Sequence, residues 1–187
     1  MKAYKLSGLA KVEGAKDYIV SLLENNVKLL IFAHHQAVLD EIESALQKNK
    51  YEFIRIDGKT KIEERQNLVD EFQNNTKITA ALLSITAAGV GLTLTASSTV
   101  VFAELHWTPG MLIQAEDRAH RITQKNCVNC HYLIGENTLD STLYNYLLKK
   151  INDVSTFIDG TEHHLEVEDV EKGKVGKFSK RHLSNEK

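Results

Sequence analysis

The chain has 187 residues, 42% hydrophobic and 26% charged, with a net charge of −2, which suits one ordinary soluble domain with a buried core and a short tail. That balance excludes a wholesale basic nucleic-acid binder while leaving a local basic surface open. The N-terminus carries no apolar run resembling a signal peptide, so an intracellular chain is the expectation.

Residues 1–27 read as a lead-in segment and helix. Lys28 to Ala33 (KLLIFA) is an apolar run expected as a strand, and Val38 to Leu46 carries apolar residues at helical spacing. The unit recurs: Tyr51 to Ile56 reads as strand, Lys61 to Phe72 as helix with Ile62, Leu68, Val69 and Phe72 inward, and Ile78 to Ile85 as strand. Thr99 to Ala103 gives another strand. The single proline, Pro109, follows Thr108 as N1 follows an N-cap, and its helix is expected to run through Gln114 and Arg118 toward Ile122. A strand near Val128 to Ile134 and a long helix from about Thr138 into Val154 complete the domain, 28–158. Beyond it, 159–187 passes from acidic (Glu162 to Glu171) to basic (Lys172 to Arg181), the pattern of a mobile tail.

Strands separated by helices at this spacing call for an α/β domain of three layers, a mostly parallel sheet with helices on both faces. Ligands of such sheets gather at the carboxyl ends of the strands, so the loops after Ala33, Ile56, Ile85, Ala103 and Ile134 matter most. The long uncharged stretch from Thr79 to Ala103 is interrupted by Gly89 and Gly91, which suits strand, loop and strand rather than a membrane span.

Gly58-Lys59-Thr60 looks like the tail of a phosphate-binding P-loop, but Phe53 stands where that loop needs its first glycine. Cys127-Val128-Asn129-Cys130-His131 matches a haem-attachment spacing; alternation through positions 128, 130, 132 and 134 instead makes Cys130 a small buried hydrophobe on a strand. No second ligand pair lies at zinc-finger spacing, so no metal site is expected. Two signals carry more chemistry. In Gln114-Ala115-Glu116-Asp117-Arg118-Ala119-His120-Arg121-Ile122, helical spacing sets Gln114, Arg118 and Arg121 on one face, a multi-donor surface for phosphate oxygens or a salt-bridged solvent face. In Ser84 to Thr93 (SITAAGVGLT), hydroxyls and two glycines after a strand let backbone approach a ligand closely.

Taken in order, KLLIFAHH, RIDGKTKIEERQNLVDEFQ, LLSITAAGVGLTLTAS and VVFAELHWTPGMLIQAEDRAHRI resemble the C-terminal RecA-like lobe of the Swi2/Snf2 DNA-dependent ATPases of helicase superfamily 2, from Lys28 to about Tyr146. FAELHWTPG, SITAAGVGLT and HYLIGENTLD most resemble the annealing-helicase subgroup, the HARP-like and zinc-finger Ran-binding-domain-containing translocases. The resemblance implies a RecA-like fold and one lobe of a nuclear, ATP-driven translocase on double-stranded or forked DNA that re-anneals or remodels it. It implies ATP and Mg²⁺ held mainly by an N-terminal RecA-like lobe, and a monomeric lobe here. Arg118 and Arg121 would be arginine fingers, oriented by Gln114; Gly89 and Gly91 would couple nucleotide to DNA; His34, His35, Gly58, Lys59, Thr60, Ser84 and Thr86 would touch the DNA backbone, the alternatives being a helix N-terminal cap for His34 and His35 and a plain solvated turn for Gly58 to Thr60. Thr60 is a donor there or the N-cap of the following helix.

The chain departs from the family at Thr86-Ala87-Ala88-Gly89, where many remodellers have Arg-Ala-Gly-Gly, at Glu104-Leu105-His106-Trp107-Thr108-Pro109 for Asp-x-x-Trp-Asn-Pro, and at Ile122-Thr123-Gln124 for Ile-Gly-Gln. Neither a Walker A loop nor a D-E-x-H box occurs, so the chain alone is expected to hydrolyse no ATP. The alternatives are the same lobe of a Snf2-type nucleosome remodeller and a free-standing doubly wound binding domain. A DEAD-box RNA helicase would need H-R-x-G-R-x-x-R, which the spacing of Gln114, Arg118 and Arg121 does not supply.

Overall fold

The computed structural model describes residues 2–87, 92–119, 127–158, 166–169 and 175–182. In chain order the elements are α1 (Lys2–Ala10), α2 (Val12–Glu24), β1 (Leu29–Ala33), α3 (Gln36–Lys48), β2 (Glu52–Ile56), α4 (Ile62–Asn74), β3 (Ile78–Ser84), β4 (Thr99–Phe102), α5 (Pro109–Glu116), β5 (Val128–Gly135), α6 (Leu139–Ile158), β6 (Glu166–Asp169) and β7 (Val175–His182). One sheet runs in the order β2-β3-β1-β4-β5-β7-β6. Its first five strands are mutually parallel, the expected α/β architecture.

Side-chain alternation along the central strands builds two cores. Leu30 and Phe32 of β1 pack with Val69 and Phe72 of α4, Leu112 of α5 and Leu143 of α6. Leu29 and Ile31 face the other way, toward Ile19 and Leu23 of α2 and Leu39 and Leu46 of α3. A strand buried on both faces must be apolar at every position, as Leu29–Ala33 is. In β5, Val128, Cys130, Tyr132 and Ile134 share one core and Leu133 enters the other, the expected alternation. Both cysteines are free thiols, and the described residues hold no group of His, Cys, Asp or Glu arranged for a metal ion. No helix among the described residues is long and apolar enough to cross a membrane.

Four details differ from expectation. Ile62 is 74% exposed at the first position of α4, ahead of the stripe that Val69 and Phe72 define. The N-cap of α4 is Lys61, because the Thr60 hydroxyl accepts the Asp57 N–H at 3.0 Å instead. Helix α5 stops at Glu116, followed by a turn through Ala119. In the tail, β7 pairs antiparallel with β5 and β6 with β7; a hairpin covers the edge that β5 would otherwise leave unpaired.

The lead-in is built into the domain. Lys11, between α1 and α2, is 3% exposed, forms an ion pair with Asp140 at 2.5 Å and donates to the Leu133 carbonyl at 2.6 Å. Ser7 Oγ donates to the same carboxylate at 2.9 Å, and so does the Gly135 N–H at 3.1 Å. A buried ion pair is tolerable when further hydrogen bonds take up its remaining capacity, as the Leu133 carbonyl does for Lys11 and Ser7 and Gly135 do for Asp140.

Candidate nucleic-acid and nucleotide interface

Parallel strands deliver the predicted loops to one edge of the sheet. His34 and His35 follow β1, Gly58, Lys59 and Thr60 follow β2, and Ser84 and Thr86 belong to the end of β3 and the turn after it. The Ile85 N–H donates to the Ala33 carbonyl at 3.0 Å, which draws two of these loops together. Gly89, Gly91 and Arg121 lie outside the described residues.

After β2, Asp57 folds the chain into a turn with its own side chain. Oδ1 accepts the Lys59 N–H at 2.8 Å and the backbone carbonyl accepts the Thr60 N–H at 3.2 Å. Oδ2 receives Gln36 Nε2 and Arg55 Nε, each at 3.0 Å. Burial pushes this carboxyl upward, but the bonds from Gln36, the Lys59 N–H and Arg55 outweigh it and hold the group below the usual range. Arg55 also pairs with Asp40 at 2.7 Å and with Glu43. These residues line an open groove of about 520 Å³ with Lys59, Thr60, Glu64 and Leu68. Four carboxylates face two cations there, so the groove itself repels phosphate. Gly58 and Lys59 project from it: both are exposed, and among the described residues no atom lies within 4 Å of where a Cβ on Gly58 would stand.

After β1 the picture differs. Glu104, just beyond β4 and 1% exposed, accepts the N–H groups of His34 at 2.8 Å and His35 at 2.7 Å through Oε2, and pairs with His35 Nδ1 at 2.7 Å through Oε1. The anion-receptive start of α3, whose N-cap is His35, is therefore filled by a protein carboxylate; of the two sequence readings, DNA contact or helix cap, His35 takes the cap position. Aromatic rings cover it. Tyr4 stacks on His34 at 5.4 Å and meets His35 and Trp107 edge-on at 4.7 and 5.8 Å. His106 meets His34 edge-on at 5.0 Å. Tyr4 donates to the Leu105 carbonyl, and Gly8 lies so close to Glu104 that a Cβ there would collide with the carboxylate. Burial, then the neighbouring His35 and His106, hold His34 below its usual pKa; burial does the same to His106. Both rings are neutral at pH 7 and bring no charge to a phosphate. His34 Nδ1 is buried without a hydrogen-bond partner among the described residues.

Ser84 is buried and Thr86 exposed, their hydroxyls bonded at 2.9 Å, so Thr86 is the one presented outward. The arginine segment is more closely engaged with its own lobe than its motif suggests. Arg118 is 8% exposed; Nε donates to the Gln114 carbonyl at 3.0 Å and Nη1 lies 3.4 Å from the Leu92 carbonyl. The Leu94 N–H donates to the Arg118 carbonyl at 3.0 Å. Gln114 meets the arginine through its backbone, and its side chain is on an exposed residue. Sequence reasoning missed Tyr4 and Arg55 altogether and noted Glu104 only where it replaces the family's aspartate. The one available signal was an aspartate or glutamate placed directly after a buried strand.

The strand-end edge thus carries a self-capped turn after β2, and the arginine turn is bonded to Leu92 and Leu94. The helicase conserved C-terminal domain matches residues 10–123, and the chain belongs to that family. Its type is the C-terminal RecA-like lobe of Swi2/Snf2 ATPases, akin to the annealing helicases. It is 44% identical over 174 residues to the DNA annealing helicase and endonuclease ZRANB3 of Homo sapiens, covering 92% of this chain and 16% of that protein. It is 43% identical over 195 residues to the SWI/SNF-related matrix-associated actin-dependent regulator of chromatin subfamily A-like protein 1 homolog of Caenorhabditis elegans, covering 97% and 28%. The crystal structure of the C-terminal part of the Fun30 ATPase domain superposes with a TM-score of 0.68 at 31% identity, covering 73% of this chain and 45% of that one. The chain thus spans well under a third of the length of these two curated relatives.

Proposed function

We propose that this chain is the C-terminal motor lobe of a nuclear, ATP-dependent translocase on double-stranded or forked DNA that re-anneals or remodels its track. The observation that carries the reading is the bonding of the arginine turn to the segment leaving the glycine-rich loop, Leu94 N–H to Arg118 carbonyl and Arg118 Nη1 toward Leu92. A motor lobe needs this link, because a change at the nucleotide must reach residues on the DNA. ATP with Mg²⁺, when bound, supplies the phosphoryl group whose transfer drives the motor, and the opposite lobe would hold most of it.

The residues present fit that division. No glycine-rich phosphate cradle occurs in the sequence, and Gly58-Lys59-Thr60 forms a turn closed by Asp57. Arg118, covered and bonded to the Gln114 and Leu92 carbonyls, anchors the turn; Arg121, three positions on, is the residue we assign to phosphate charge. Outward contacts to DNA fall to Lys59, Gly58 and Thr86, with His34 and His35 shaping the loop behind Glu104. In a polypeptide carrying both lobes, Arg121→Ala should lower DNA-stimulated ATP turnover by about 10³-fold or more, the scale of a lost arginine finger, with the folding midpoint unchanged. Turnover by the 187-residue chain alone, abolished by the same substitution, would defeat the two-lobe reading.

A further inference from the structure

Tyr132 sits in β5 in register with Phe102 of β4, which is in register with Phe32 of β1. The three rings stack across the sheet: Phe102 and Tyr132 are 4.8 Å apart and 7° from parallel, Phe32 and Phe102 5.3 Å and 19°. Such a stack fixes where the phenol oxygen points. It donates to Glu116 Oε1, in a place where Tyr132 is 7% and Glu116 3% exposed. Burial and the adjacent Glu116 push the phenol well above its ordinary pKa, so it remains a donor throughout the physiological range. Glu116 ends α5 and opens the arginine turn: its carbonyl accepts the Ala119 N–H at 3.0 Å, and the Arg118 N–H donates to Ala115 at 3.2 Å.

We propose that Tyr132 is a positioning residue for the arginine turn. Its phenol, aimed by the Phe32–Phe102 stack, holds Glu116, and Glu116 fixes the turn that seats Arg118 against Leu92 and Leu94. The proposal rests on the reading of this turn as the motor's arginine motif. It gives the sheet a direct role in placing that motif, through one hydrogen bond that spans two layers of the fold.

Tyr132→Phe keeps the stack and removes only the donor. In the full chain, nuclear magnetic resonance of the Arg118 Nε–H reads the seat directly. We expect Tyr132→Phe and Glu116→Ala each to speed its exchange with water about tenfold, the scale of one buried hydrogen bond to a charged group, and the double variant to do no more than either. Glu116→Gln keeps an acceptor oxygen and should stay near the parent. Cys130→Ala, which opens a small cavity on the same strand, should lower the melting temperature with the Arg118 signal unmoved. Unchanged exchange in Tyr132→Phe, or strictly additive effects, would overturn the proposal. Should Glu116→Ala fail to fold, Tyr132→Phe and Glu116→Gln still decide it. If exchange responds as expected while a two-lobe polypeptide hydrolyses ATP equally well without Arg118 and Arg121, the positioning stands and the motor reading of the turn falls.

Discussion

Glu104 and Asp57 follow two parallel strands of one sheet, and each closes a loop by accepting backbone N–H groups, yet their surroundings are opposite. Glu104 is roofed by Tyr4, His34, His35 and Trp107 and pressed from beneath by Gly8. Asp57 is covered by its own turn, but its partners Gln36 and Arg55 open into a groove shared with water. Between them lies the start of α3, with His34 and His35 bonded to one carboxylate and Gln36 to the other. The same chemistry at two strand ends therefore does different work: one carboxylate seals an anion site against ligands, and the other shapes a turn whose tip remains available.

The largest difference should appear when each carboxylate is removed. Glu104→Ala leaves two N–H groups and a histidine without their acceptor under the aromatic roof, which should cost roughly 3–5 kcal/mol, since water cannot readily take the vacated place. Asp57→Ala should cost only about 1–2 kcal/mol, because the groove lets water solvate the released donors. Urea denaturation of the two variants checks the order. Equal losses would mean that the roof over Glu104 contributes nothing to its isolation.

Acid should separate the two regions by pH window. The folded pKa of Asp57 lies below the ordinary 3.8, so the stability it contributes is present above that value and is lost as pH falls through the folded value. The folded pKa of His34 lies below 6.5, so the unfolded chain takes up that proton first and stability begins to fall as pH drops below 6.5. Melting temperatures across pH 7 to 3 should show His34→Gln flattening the upper part of the curve and Asp57→Asn the lower part. A curve in which both variants act in the same window would break the distinction.

How far the sequence disclosed these features follows the distance over which each is built. The alternation at 128, 130, 132 and 134 and the Thr108-Pro109 helix start are local patterns, and the structure has them where spacing puts them. Glu104 reaches residues 69 and 70 positions away, and Tyr4 reaches Leu105 across 101; no periodicity reports such pairings. Of the two roles the sequence allows Thr60, the helix cap is not taken, because the Asp57 N–H three residues earlier donates to its hydroxyl through the turn. The tail's opposed charges suggest a solvated arm, whereas the strand register sets Glu168 opposite Lys177 in a hairpin. Helical spacing sets Gln114 and Arg118 on one face, and the bond between them uses the Gln114 backbone carbonyl that every residue owns, so the side-chain type carries no information about it.

The smallest stability effect belongs to the tip of the Asp57 turn, and it sharpens the comparison most. Lys59 donates its backbone N–H to Asp57 and is exposed, so Lys59→Ala should shift stability by no more than about 0.5 kcal/mol. If the turn meets the DNA backbone, the same change should reduce the slope of log binding constant against log salt by about 0.9, one phosphate contact, uniformly across sequences. His34→Gln should leave that slope unchanged, because a neutral ring behind Glu104 releases no counterion. Fluorescence anisotropy with a duplex at several salt concentrations measures both slopes. A loss of slope in the His34 variant and none in the Lys59 variant would place the track at the sealed end of the sheet, and Glu104 would then have to yield its place to phosphate.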